Sequence, residues 1–270
     1  MRFFATILSI LLLNTIASAQ NAGGITDLLK ANVEGPVVVM DLVKFKPGGE
    51  EKYAIYDGLA EEKLKSLGGA VVFRGTARKV GTSKLNGTED EVDHTSWDRV
   101  TFRKYPSMQA VVDMAGSSEY QGAFPNRSAS VDASFVYAFS GEMPSFEGGP
   151  PPGNFPMPVL PPPPSADTVY MLNLLRFAGD AGRTQYFSKY GPATTPLISK
   201  RGGGPVYVLK GVGPVISDET IDRLILVRYP STETFLEMIA TDEYQATAHF
   251  RTDAIELGLL FPFSYAQPKE

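Results

Sequence analysis

Two polar residues interrupt apolar segments that predict β-strands. Asp41 lies in the segment VVVMDLVKF, and Asn173 lies in VYMLNLLRF. A polar side chain on a buried strand needs a hydrogen-bond partner or a ligand. A carboxylate that faces an enclosed interior can act as a general base, whereas an amide can only orient a ligand. We therefore predict Asp41 as the catalytic residue for proton transfer and Asn173 as a ligand-binding residue. A structural hydrogen bond is the alternative for both.

Three arginines occupy alternating positions of predicted strands, namely Arg99, Arg103 and Arg223. A guanidinium binds carboxylate or phenolate oxygens in a fixed geometry, so these residues predict a site for a carboxylate or phenolate ligand. Arg223 and Asn173 are the binding candidates of the second copy. The alternative is an ion pair with one of four acids. The acids considered are Asp98, Asp222, Glu119 and Glu243.

Tyr120 and Tyr244 are further candidates for ligand binding, and each follows a glutamate at the start of a predicted helix. Packing over the sheet edge is the alternative for both tyrosines. Arg127 and Arg251 follow seven residues after these tyrosines, and we interpret them as structural braces of the same helices.

The sequence contains no pattern that predicts a metal or a cofactor. Cysteine is absent, and the two histidines, His94 and His249, form neither an HxH nor an HExxH spacing. Ser107 and Ser231 stand where helix N-caps are expected, and no GxSxG element accompanies them. Gly202-Gly203-Gly204 is interpreted as a helix stop, since no GK[ST] element follows it. We therefore expect neither a metal site nor a bound cofactor.

An internal repeat relates the two halves of the chain. A set of short elements recurs 124 positions later, and further matches precede it at slightly larger offsets. The recurring elements are Asp98-Arg99, Tyr105-Pro106-Ser107, Glu119-Tyr120-Gln121 and Arg127. Asp41 corresponds to Asn173, and Tyr53 and Tyr56 correspond to Tyr186 and Tyr190. A polar loop, 82–96, is present only in the first copy, so the sequence predicts a tandem duplication whose two sites are inequivalent.

Each copy reads as strand, helix, strand, strand, helix, strand, which is the ferredoxin-like βαββαβ order of an α+β fold. Predicted strands cover 37–45, 71–80, 99–105 and 135–139 in the first copy, and 169–177, 206–212, 223–229 and 259–265 in the second. The first helix is predicted at 50–67 and at 182–200, where Pro192 and Pro196 predict an irregular course. The helix-free sheet faces of two such domains can cover each other, so we predict an intramolecular pseudo-dimeric α+β barrel.

Amino-acid composition predicts the boundaries of the remaining segments, namely a signal peptide, an N-terminal segment and a linker between the two domains. Residues 1–19 resemble a signal peptide, with Arg2, an apolar run and Ala17-Ser18-Ala19. The expected order is then an N-terminal segment 20–35, a first domain 36–140, a Pro/Gly-rich linker 141–166 and a second domain 167–270. This predicts an exported protein, periplasmic or extracellular, with no membrane insertion after processing. The net charge of −5 argues against a nucleic-acid partner.

The segments RLILVRYPS and DEYQATAHFR in the second copy, and their counterparts between Asp98 and Arg127, resemble the bacterial domain of unknown function 1330 family of the dimeric α+β barrel superfamily. The resemblance implies a pocket between the helix-free sheet faces. Relatives in that superfamily include cofactor-free monooxygenases, lactone isomerases and haem-dependent enzymes. Family members often carry an acid just before the aromatic-Pro-Ser element, where this sequence has Lys104 and Arg228.

Two functions remain open at this point. One is a cofactor-independent enzyme that performs proton transfer or oxygenation on a small aromatic or polyketide-like compound. The other is a non-catalytic ligand-binding or interaction module. Both take a small-molecule ligand as partner, and both are compatible with a homo-oligomer. Because the fold hosts many reactions, it does not choose between them.

Overall fold

The computed structural model describes residues 28, 30–79, 96–143, 153–154 and 157–266. The predicted signal peptide, His94, nearly all of the 82–96 loop and part of the linker lie outside the described residues. Within the described part of the chain, no helix combines the length and the apolar character needed to cross a membrane.

The first half has the predicted order of elements. They are β1 (Val37–Phe45), α1 (Glu50–Ser66), β2 (Ala70–Ala77), β3 (Arg99–Tyr105), α2 (Met108–Gly116), α3 (Ser118–Ser130) and β4 (Val131–Ser140). The second helix is divided into α2 and α3 because Ser117 is extended, and its side chain accepts a hydrogen bond from the backbone N–H of Tyr120. Ser107 caps α2 by accepting from Ala110 N–H, as the sequence predicted.

The second half repeats this order after a short ribbon of β5 (Glu142–Met143) and β6 (Gly153–Asn154). It contains β7 (Val169–Phe177), α4 (Gly179–Gln185), a π-helical turn (Tyr186–Tyr190), α5 (Gly191–Ser199), β8 (Gly204–Ile216), β9 (Arg223–Tyr229), α6 (Thr232–Ile239), α7 (Asp242–Thr252) and β10 (Ile255–Tyr265). The predicted irregular helix around Pro192 is thus two α-helical segments joined by a π turn.

The strands form one closed barrel in the order β1-β3-β2-β10-β7-β9-β8-β4. Each half contributes a four-stranded antiparallel sheet. The two sheets are joined by the pairs β2 with β10 and β4 with β8. Closure leaves no free edge among these eight strands, and it confirms the predicted intramolecular α+β barrel.

The interior of the barrel is packed with large apolar side chains. Met40, Phe102 and Phe139 of the first half meet Leu172 and Leu226 of the second, and all are essentially inaccessible to solvent. Among the described residues, the space between the two helix-free sheet faces is thus packed core, which differs from the predicted position of the pocket. The reason is the two-residue period of a strand, which turns Met40 and Leu42 inward and Asp41 outward to the helices.

Candidate functional site

Strand register shows which residues of the two halves are equivalent. Asp41 lies opposite Thr101 on β3, and Asn173 lies opposite Ile225 on β9. On the other side of these strands, Arg74 pairs with Thr101 and Val208 pairs with Ile225. By the same register Arg103 corresponds to Val227.

The helices give further equivalent pairs. The hydroxyls of Tyr56 and Tyr120 lie 3.2 Å apart, and those of Tyr190 and Tyr244 also lie 3.2 Å apart. Gly69 N–H donates to Leu64 O in the first half, and Gly203 N–H donates to Ile198 O in the second. Counting along the helices from these anchors, Asp57 corresponds to Gly191, Glu61 to Thr195 and Arg127 to Arg251.

In the first half, Asp41 is the centre of a buried ion-pair system between the sheet and the helices. Its Oδ1 accepts from Arg127 Nη2 at 2.8 Å. Its Oδ2 accepts from Tyr53 Oη at 3.2 Å and lies 3.6 Å from Arg103 Nη1. The aspartate is only 3% exposed. The candidate for proton transfer is thus held by two guanidinium groups and a phenol.

The ion-pair system extends from Asp41 to the barrel edge. Arg103 donates to Asp57 Oδ1, and Arg74 Nη2 lies 2.9 Å from Asp57 Oδ2 and 3.0 Å from Glu61 Oε2. We call these six side chains the charged network: Asp41, Asp57, Glu61, Arg74, Arg103 and Arg127. Its three acids and three arginines balance in charge. Burial acts to lower the pKa of Arg127, but the attraction of Asp41 and of nearby tyrosine oxygens outweighs it and raises that pKa.

The second half has a cavity of about 460 Å³ in the place of the charged network. Asn173, Gly191, Thr195, Val208 and Val227 replace five of the six charged residues, and all five line the cavity. Arg251, the counterpart of Arg127, is the sixth position, and it also lines the cavity. We call this space the second-half cavity. It exists where shorter or uncharged side chains replace long charged ones.

Most of the cavity wall is aromatic or aliphatic. The aromatic residues that line it are Tyr186, Phe187, Tyr190, Tyr229, Phe235 and Tyr244. Asn173 is half-buried, and its Nδ2 donates to the carbonyls of Met171 and Ile225 at 3.3 Å each. The volume falls in the range of sites for small organic ligands, and an apolar wall with few polar groups is typical of such sites.

At neutral pH, the described lining of the cavity carries one charged side chain, which is Arg251. Burial raises the pKa values of Tyr186, Tyr190, Tyr229 and Tyr244, so these phenols are neutral hydrogen-bond donors. Burial lowers the pKa of Arg251 to about 10, which still leaves its guanidinium protonated near pH 7. The described lining includes neither an acid nor a histidine.

The π turn beside the cavity accommodates one extra residue. Tyr53 and Tyr56 are three residues apart in α1, whereas Tyr186 and Tyr190 are four apart, yet Tyr190 meets its partner Tyr244 just as Tyr56 meets Tyr120. An i→i+5 turn absorbs an insertion of this kind without ending the helix. The insertion places Phe187 on the cavity wall.

The remaining sequence candidates are divided between the halves. Arg99 lies 2.9 Å from Glu50, and Arg223 stacks over the ring of Phe187 with its Cζ 5.3 Å from the ring centre. Among the predicted site residues, Asn173 and Tyr244 line the cavity, while Tyr120 belongs to the first half.

Three of the four acids considered as ion-pair partners of the arginines have other partners among the described residues. Asp98 binds Lys44 at 2.8 Å, Asp222 accepts from the backbone N–H of Phe177, and Glu119 binds Lys63 at 3.0 Å. The sequence missed Asp57, Glu50 and Glu61 as partners because all three lie on α1, which is distant from the arginines in the chain.

Sequence reasoning also missed Arg251 as a site residue, because its recurrence as Arg127 suggested a brace. A position-by-position comparison of the copies contains the missing signal, since only this member of the charged network keeps its charge in the second half. His249 is exposed on α7, with its ring 4.0 Å from that of Phe250, and it does not line the cavity. The described residues contain no cluster of three or more metal-ligating side chains.

No protein-family profile matches the sequence, and no curated protein matches it. Solved structures do. A protein of unknown function from Rhodopseudomonas palustris is 27% identical, with a TM-score of 0.35 over 42% of this chain and 88% of its own. An anthrone oxidase-like protein is 11% identical, with a TM-score of 0.54 over 88% of this chain and 93% of its own. A monooxygenase-named protein from Fusobacterium nucleatum is 8% identical, with a TM-score of 0.50 over 86% and 93%.

The chain has the dimeric α+β barrel fold. The last two likenesses extend over nearly the whole length of both chains, and they show the fold alone at these identities. This fold agrees with the barrel that the strand pairing closes.

Proposed function

We propose that this protein binds a small, largely apolar molecule in the second-half cavity. The observation that carries the proposal is the matched comparison of the two halves within one chain. The first half fills the space between sheet and helices with the charged network. The second half has uncharged residues at five of those six positions, and these residues line a cavity. The acids and arginines of the first half pair with one another, whereas the equivalent space of the second half is an apolar cavity. This difference supports a ligand-binding role for the cavity.

The aromatic wall indicates the shape of that occupant. Tyr186, Phe187, Tyr229 and Phe235 offer ring faces and edges, against which a planar ring system packs favourably. A small aromatic or polyketide-like compound, as the sequence suggested, fits such a wall.

The chemistry of the cavity favours binding over proton transfer. A general base that works near neutral pH is normally a carboxylate or an imidazole, and the described lining offers neither. Proton transfer by Asp41 stays a prediction from the sequence, and the ion pairs of Asp41 place it outside the lining of this cavity.

A second candidate function is cofactor-independent oxygenation of the bound compound by dioxygen. The observation that favours it is the buried Arg251 in an apolar cavity, because a cation stabilises a ligand that has already ionised, and such a ligand needs no protein base. The names of the full-length structural neighbours, monooxygenase and anthrone oxidase-like, add to this proposal. Oxygen uptake with a purified ligand separates it from binding alone.

A fluorescent probe tests the binding proposal directly. N-phenyl-1-naphthylamine, which is neutral and apolar, is titrated into the full chain. Val208→Trp fills the cavity from β8, and Thr195→Trp fills it from an exposed position on α5; each should weaken probe binding at least tenfold, about 1.4 kcal/mol. Val159→Trp, at a position that is 57% exposed, is the matched control and should leave binding unchanged. Wild-type affinity in both folded cavity variants would contradict the proposal.

We also propose that the protein is exported, on the signal-peptide pattern of residues 1–19. N-terminal sequencing of secreted protein should give Gln20 as the first residue.

We further propose membership of the domain of unknown function 1330 family, on the segments that resemble it. Homologues gathered with residues 167–266 alone should fall into that family, and their absence from it would contradict the assignment.

A further inference from the structure

Arg74 closes the seam between helix α1 and strand β2 in the first half. Its Nη2 lies 2.9 Å from Asp57 Oδ2 and 3.0 Å from Glu61 Oε2, and both acids lie on α1. Lys65 Nζ, one turn further along α1, lies 3.0 Å from Glu61 Oε1. Arg74 is only 9% exposed, so its ion pairs shield this side of the charged network from most of the solvent.

The second half has short, uncharged residues at the equivalent positions. Gly191, Thr195 and Val208 stand where the first half has the two acids and the arginine, and all three line the second-half cavity. A glycine, a threonine and a valine have neither the length nor the charge to join a helix to a strand by an ion pair. The seam between α5 and β8 is therefore built without the closure that joins α1 to β2.

Solvent exposure shows where the second-half cavity opens. Of the described residues that line it, three are exposed, and they are Pro192, Thr195 and Pro205. Pro192 and Thr195 lie on α5, and Pro205 lies near the start of β8. The wall residues on β7, β9, α6 and α7 are buried, apart from the half-buried Asn173. The cavity thus reaches solvent at the seam between α5 and β8, and we call this opening the mouth.

Prolines on both sides give the mouth a stiff rim. Pro192 lies in the first turn of α5, and Pro205 lies where the pairing of β8 with β9 is irregular. A proline ring fixes the backbone angle φ and so restricts movement of the rim. The mouth is outside the closed barrel, so passage through it does not require any strand pair to separate.

We infer that small molecules enter and leave the second-half cavity through the mouth, at the seam that the Arg74 ion pairs close in the first half. This inference rests on the proposed function and adds the route of access. Thr195 and Val208 control that access, since their counterparts Glu61 and Arg74 form the closure. The width of the mouth, as well as the volume of the cavity, then selects the ligand.

Stopped-flow fluorescence of N-phenyl-1-naphthylamine with the full chain tests the inference. Thr195→Glu/Val208→Arg gives the mouth the ion pair that Glu61 and Arg74 form. A closed mouth raises the barrier to passage in both directions, so the association and dissociation rate constants should both fall about tenfold or more. The dissociation constant is the ratio of the two rate constants, and it should change less than either of them.

Thr195→Gln/Val208→Arg is the matched control, because its side chains have the same size as those of the closed variant but form no ion pair. Both rate constants of this control should be about fivefold or more above those of the closed variant.

A reversible block tests the same route without an ion pair. The chain contains no cysteine, so a single introduced thiol can be modified selectively. Benzyl methanethiosulfonate on Thr195→Cys should slow association and dissociation together, and dithiothreitol should restore both rates. Ala246→Cys is the control, since Ala246 is exposed on α7 of the same half and does not line the cavity. Its modification should leave both rates unchanged.

The outcomes separate the inference from the proposed function. If N-phenyl-1-naphthylamine does not bind the wild type, the proposed function fails and the inference fails with it. If the probe binds and both rate constants stay at the wild-type value in the closed variant and in the modified Thr195→Cys, ligands pass elsewhere and the inference is overturned. Faster dissociation with unchanged association would also overturn it, because the two positions would then only contact the bound ligand. Should the closed variant fail to fold, the cysteine block decides.

Discussion

Arg127 and Arg251 are the same residue type at equivalent positions of one chain, but the three acids and two other arginines of the charged network have uncharged counterparts in the second half. Burial lowers the pKa of both guanidinium groups, but Asp41 reverses the direction for Arg127, whereas the pKa of Arg251 falls to about 10. The pair therefore shows that the pKa of a buried guanidinium shifts in opposite directions with and without the Asp41 carboxylate beside it.

Asp41→Asn tests the ion-pair role of the residue that the sequence suggested for proton transfer. The amide leaves Arg127 and Arg103 buried without the carboxylate, and breaking such a buried pair costs about 3–5 kcal/mol. We expect urea denaturation to show a loss of that size. Asn173→Asp, the reciprocal control, should leave the free energy of unfolding unchanged or raise it. If Asp41→Asn kept full stability but lost turnover, Asp41 would belong to the mechanism as the sequence predicted.

At the residue scale, the sequence identified the polar interruptions but could not tell which way they face. Val37 and Val39 are buried against the helices, while Val38 and Met40 are buried inside the barrel. A strand buried on both faces is apolar throughout, so its pattern does not show the direction of a side chain. The placement of Asp41 depended on the packing of the whole barrel.

At the element scale, the order of helices and strands follows from the sequence because β-branched runs, glycine stops and serine caps all agree. The differences are at the boundaries. β8 continues to Ile216 rather than 212, where its last part pairs with β4 of the other half. This extension depends on a partner strand remote in sequence, which local pattern cannot supply. The π turn was not predicted from the sequence either. The one sign of it there is the spacing of the tyrosines, which is three residues between Tyr53 and Tyr56 and four between Tyr186 and Tyr190.

Deleting Ser188, an exposed residue of the π turn, tests what this element does. The deletion restores the three-residue tyrosine spacing of α1 and should convert the turn to regular α-helix. We expect it to move Phe187 on the cavity wall and to weaken binding of N-phenyl-1-naphthylamine at least tenfold. Ser188→Ala keeps the chain length and should bind as the wild type does. Undiminished binding in the deletion variant would show that the π turn has no part in shaping the cavity.

At the scale of the whole molecule, closure of the barrel makes the halves depend on each other. Each sheet covers the other with large apolar side chains, and two strand pairs join the halves. Polypeptides covering residues 28–143 and 157–266 should therefore be unstable or self-associated alone, and should form a one-to-one complex when mixed. Light scattering coupled to size exclusion measures this. Two stable, separate monomers in the mixture would be incompatible with the barrel.

The end of the proline-rich segment contributes to the same core. Met157 and Leu160 are 7% and 8% exposed and pack against the barrel interior. Leu160 N–H donates to Val72 O of the first half at 3.0 Å, and Leu160 O accepts from Tyr265 Oη of the second half at 3.2 Å. Met157 and Leu160 thus form part of the barrel core, and Leu160 contacts both halves; we call these two residues the plug. The proline-rich composition did not indicate this role.

Leu160→Ala should lower the free energy of unfolding by about 2–5 kcal/mol, because it removes a buried side chain and leaves a void at the end of the barrel. Unfolding should stay a single transition, since the plug contacts both sheets. The neighbouring Val159 is 57% exposed, so Val159→Ala should change stability by less than about 0.5 kcal/mol. Binding of N-phenyl-1-naphthylamine should be unaffected in both variants, since neither residue lines the second-half cavity. Equal stability of the two alanine variants would mean that the segment is only a spacer.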